Sequence, residues 1–122
     1  REVSFIKAIF RLYQPLLQQY ERLGRELMKD YYSGSNQASS RYFGEVDGQF
    51  ITGTVMSKCQ ILIEERKKYT TTLEKCSSFQ LSSDICILIK GCVFDWCLSP
   101  QHKSLEETAQ CILSQFLNNY DD

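Results

Sequence analysis

Breakers of regular structure are scarce in this sequence. Proline occurs twice and glycine six times in 122 residues. Alternating β-branched runs, the mark of a half-buried strand, are missing as well. Histidine occurs once, as His102 in an expected turn, and no Ser-His-Asp catalytic set can be built around it. Glycine-rich loops that cradle phosphate are absent. Gly44-Glu45-Val46-Asp47-Gly48 lacks the regular oxygen-ligand spacing of a calcium loop. These absences exclude the common enzyme, metal and nucleotide chemistries, and the chain is read as a non-enzyme with no cofactor.

Charge of one sign is also missing. The net charge is −1, with acids and bases interspersed. The one basic cluster, Arg66-Lys67-Lys68, follows Glu64-Glu65 and reads as the solvated end of a helix. A chain that grips phosphates by itself carries a basic stripe, so this chain is not expected to bind nucleic acid. No apolar run is long enough to span a membrane. No basic stretch followed by an apolar run opens the chain, and a start at Arg1 points to a piece trimmed from something longer.

What is present repeats every 3.6 residues. Ile6, Ile9, Tyr13, Leu16, Tyr20, Leu23, Leu27 and Tyr31 put one stripe on one long helix. Pro15 interrupts it, leaving one kinked helix or two helices meeting at Gln14-Pro15. Residues 33–49, rich in Ser, Gly and Asn, read as a connection. A second helix is expected from about Asp47 to Lys68, with Ile51, Val55, Cys59, Leu62 and Ile63 on its stripe. A polar loop over 69–81 holds Leu73 and Phe79. Ser82 is the expected N-cap of a third helix ending at Leu98, where Ser99-Pro100 stops it. Ser104-Leu105-Glu106-Glu107 fits a capping box opening a last helix to about Asn119. The fold class is all-α, a single-domain helical bundle.

The third helix is apolar on two sides. Ile85, Ile89, Cys92 and Trp96 lie on one, and Ile87, Gly91, Phe94 and Leu98 on another. The last helix carries Leu105, Ala109, Ile112, Leu113, Phe116, Leu117 and Tyr120 over about half its circumference, where a single core needs roughly 100°. Two neighbouring helices with surplus apolar surface predict a homodimer. Its interface would take Ile87, Gly91, Phe94, Leu98, Leu105, Ile112 and Phe116, the last two helices of each copy pairing as a four-helix bundle.

Six cysteines could signal a secreted disulfide scaffold. Cys59, Cys86, Cys92, Cys97 and Cys111 instead fall within helical segments, mostly among apolar neighbours, as small buried hydrophobes do. Three of them crowd one helix, and only Cys76 falls in a loop. Reduced thiols in a cytoplasmic protein are the expectation.

The string Ile89-Lys90-Gly91-Cys92-Val93-Phe94-Asp95-Trp96-Cys97-Leu98, a short polar loop and then Ser104-Leu105, resembles the end of TetR-family transcriptional regulators. In that family a glycine precedes a tryptophan by five residues on the penultimate helix, and a short loop leads to the final one. The likeness is good over 50–120 and only a helical pattern over 1–45. Tyr69-Thr70-Thr71-Thr72 stands where the family often has a glycine. The resemblance implies an effector-binding and dimerisation domain. Its DNA-binding head would precede Arg1, so DNA would be a partner only through that head. It also implies an effector cavity, with Tyr20, Leu23, Phe43, Val55, Met56, Cys59 and Trp96 as its walls and 33–49 as its entrance. Tyr and Trp supply apolar bodies with polar tips, and the charges fall on outer faces. The effector is therefore expected to be small and apolar or aromatic. Two other readings compete: a secreted four-helix cytokine-like receptor ligand, separable by its disulfides, and a dimerisation adaptor without a ligand.

Overall fold

The computed structural model describes residues 3–32, 54–98 and 103–120. Every regular element among them is helical, as the 3.6-residue period predicts. The helices are α1 (Phe5–Tyr32), α2 (Thr54–Lys67), α3 (Ser78–Leu98) and α4 (Leu105–Phe116), and a 3-10 turn over Asn118–Tyr120 follows.

Ser4 starts α1. Its carbonyl accepts from the Ala8 N–H at 2.9 Å and its hydroxyl from the Lys7 N–H at 3.2 Å, the bonds expected of an N-cap. Pro15 lies within one continuous helix. The N–H it lacks would have met the carbonyl of Arg11, and both residues lie on the exposed side. There water can satisfy the carbonyl, which lowers the cost of a proline inside a helix. The fully buried line of α1 is Phe5, Ile9, Tyr13, Leu17 and Tyr20, with steps of three and four. Ile6 and Leu16, expected on that line, sit half-buried at its margin. Each fully buried apolar side chain contributes about 1.5–3 kcal/mol relative to exposure.

In α2, Cys59 and Ile63 face the core. The expected start of this helix, 47–53, lies outside the described residues. At its other end the Arg66 guanidinium donates to the carbonyl of Val3, which ties the end of α2 to the approach to α1.

The third helix starts earlier than Ser82. The hydroxyl of Ser77 accepts from the Gln80 N–H at 3.2 Å, and the Ser77 carbonyl accepts from the Leu81 N–H at 2.9 Å. Ser82 is buried inside the helix, with its hydroxyl donating to the carbonyl of Phe79 at 2.9 Å. The helix starts after Ser77 because the extra turn gains tertiary contacts. Ser78 donates to the carboxylate of Glu64 on α2, and Leu81 enters the core. Within the loop before it, Leu73 is fully buried while Phe79, assigned to the loop by sequence, is an exposed first-turn residue of α3.

Ser104 caps α4 as expected, its hydroxyl accepting from the Glu107 N–H at 3.3 Å. The helix proper ends at Phe116, and the chain tightens into the 3-10 turn. α2 packs on α3, α3 on α4, and α1 on both α4 and α2. The core is built where these four meet, from Tyr13, Tyr20, Ile63, Ile85, Ile89, Leu105 and Leu113 among others.

Candidate functional site

The two sides of α3 have different fates. Ile85, Ile89, Cys92 and Trp96 are buried, as their shared side predicts. On the opposite side Ile87 is 64% exposed, Gly91 is exposed and Phe94 is half-buried. Leu98 ends the helix, and its side chain lies outside the described residues. A Cβ placed on Gly91 would meet nothing within 4 Å. Nothing described in this chain's own packing therefore requires glycine there.

On the neighbouring helix, Ile112 and Phe116 are 38% and 39% exposed. They are one turn apart and so share a face. Leu105, grouped with them by sequence, is fully buried in the chain's own core. It has no surface to offer a second copy. The buried row of α4 steps by four through Leu105, Ala109, Leu113 and Leu117, and Ile112 and Phe116 lie beside it. The expected interface residues thus separate into an exposed set, Ile87, Gly91, Ile112 and Phe116, a half-buried Phe94 and a core residue, Leu105.

Six of the seven expected effector walls fall among the described residues. Tyr20, Cys59 and Trp96 are core residues, and Leu23, Val55 and Met56 are partly buried and packed against that core. Phe43 and the 33–49 segment lie outside the described residues. Trp96 has a second task. Its indole N–H donates to the carbonyl of Lys103 at 3.2 Å, and the Arg25 guanidinium lies 5.5 Å from its ring centroid. The ring thus pins the chain leading into α4 and carries a cation on its face.

Tyr13, which sequence assigns only to the helix stripe, is a polar anomaly in this interior. Its hydroxyl is fully buried, with the Cys86 thiol as its side-chain hydrogen-bond neighbour and the Cys59 thiol in its electrostatic reach. Burial, and then these neighbouring thiols, push the phenol well above the ordinary tyrosine range. Burial also pushes the Cys59 thiol up to about 12. Cys86 is raised by burial, with Lys90 pulling the other way. Thiols held protonated are poor nucleophiles and poor metal ligands. Cys59, Cys76, Cys86, Cys92 and Cys111 are all unbridged.

A groove of about 270 Å³ lies elsewhere, lined by Gln18, Glu21, Arg22, Arg25, Ser104 and Glu106. It follows the seam between α1 and the start of α4. The Glu21 carboxylate accepts from the Leu105 N–H at 2.7 Å, and Gln14 donates to Glu106 at 2.8 Å. Sequence carries no signal for this contact, because 84 positions separate Glu21 from Leu105. Among the described residues no helix is long and apolar enough to cross a membrane.

No family model matches the chain, and no curated protein or solved structure matches it at a significant level. None of these comparisons identifies a relationship to TetR regulators.

Proposed function

We propose that this chain is a self-associating regulatory domain of TetR type. The outer face of α3, with Ile112 and Phe116 of α4, would meet the same surface of a second copy. The observation that carries this reading is Gly91. A glycine in a helix interior costs about 1 kcal/mol relative to alanine. Here the Cβ would meet nothing within 4 Å, so nothing described in the monomer accounts for the cost. Close approach of a partner helix between Ile87 and Phe94 would account for it, with the exposed Ile87 as the apolar anchor.

Sedimentation equilibrium on the wild type and on Gly91→Leu tests this. The wild type should be a dimer at micromolar concentration and the variant shifted towards monomer. A monomeric wild type at that concentration would overturn the proposal.

In this reading the domain works in the cytoplasm and touches DNA only through a head outside this chain. A small apolar or aromatic effector would bind between α1, α2 and the inner side of α3. One feature supports an effector: the walls Leu23, Val55 and Met56 are incompletely buried. An effector acts only as far as it binds one arrangement of the dimer better than another. A secreted cytokine-like ligand would need bridged cysteines, and the five described here are unbridged. The ligand-free adaptor is the outcome if no compound binds.

A further inference from the structure

We draw no further inference here: the strongest candidate, the groove between α1 and the start of α4 lined by Gln18, Glu21, Arg22, Arg25, Ser104 and Glu106, is a helix N-terminus whose Leu105 and Glu107 N–H groups are already taken by Glu21 and Ser104, and nothing else in it points to a ligand.

Discussion

The carboxylate of Glu21, midway along α1, accepts a 2.7 Å hydrogen bond from the backbone N–H of Leu105, the first residue of α4. The donor is one of the orphan N–H groups that every helix start leaves. A negative charge there also meets the positive end of the helix dipole. The same carboxylate pairs with Arg25 at 3.0 Å, and Arg25 lies over Trp96. One acid thus joins α1 to α4 directly and to α3 through Arg25.

This relationship predicts unequal costs at two neighbouring positions. A hydrogen bond to a charged group contributes about 1.5–3 kcal/mol, and Glu21 is only partly exposed. Glu21→Ala should destabilise the domain by about 1–2 kcal/mol, in the range of a lost cap. Arg25→Ala removes a half-exposed i,i+4 pair and its cover over Trp96 and should cost less, about 0–1 kcal/mol. Urea unfolding measures both. Equal costs would mean that the bond to Leu105 contributes nothing special.

Gly91 predicts opposite signs for two properties of one variant. With open space around its Cβ, Gly91→Ala should stabilise the isolated chain by about 0.5–1 kcal/mol through helix propensity. If a partner helix packs closely there, the same change should weaken self-association. Unfolding at high dilution reads the first property and concentration-dependent sedimentation the second. A gain in both would remove Gly91 from the interface.

Burial of Cys59 sets a pH dependence. Its thiol titrates near 9.0 when unperturbed and is pushed up to about 12 in the fold. A raised folded value means that the contribution is fully present below pH 9.0 and is lost as pH climbs towards 12. Above 9 the unfolded chain releases a proton that the folded chain keeps, so unfolding is favoured by up to about 1.4 kcal/mol per pH unit from this group. Tyr13 is raised in the same direction and adds to the slope above its ordinary range. Thermal midpoints from pH 8 to 11 should fall less steeply in Cys59→Val than in the wild type. Parallel curves would contradict a protonated interior thiol. At pH 8, a thiol reagent should modify exposed Cys111 well before Cys59.

The effector reading is tested by ligand stabilisation. An apolar or aromatic compound at 100 times its dissociation constant should stabilise the domain by about 2.7 kcal/mol. Met56→Glu places a charge in the wall and should abolish that shift while leaving the fold intact, since Met56 is only partly buried. A screen in which no apolar or aromatic compound raises the midpoint would leave the adaptor. A compound that stabilises wild type and Met56→Glu equally binds somewhere else.

Features that depend on neighbours a few residues away are legible along the chain alone. Steps of three and four along Ile9, Tyr13, Leu16 and Tyr20 force one apolar side on α1, whatever packs against it. Ser104 lies three residues before Glu107, within reach of its N–H, so the cap of α4 is local and legible. Ile85, Ile89, Cys92 and Trp96 share a side by helical geometry alone. Tertiary structure decided what depends on distant partners. Pro15 can stay inside α1 because its side of the helix faces solvent. Ser77 displaces Ser82 as the start of α3 because Ser78 and Leu81 find partners in α2 and the core. Leu105 joins the core in one row with Ala109, Leu113 and Leu117, while Ile112 and Phe116 lie beside that row at the surface. The apolar surplus of α3 and α4 could be counted in the sequence. Which of its residues turn inward is set by contacts that close only when the helices pack.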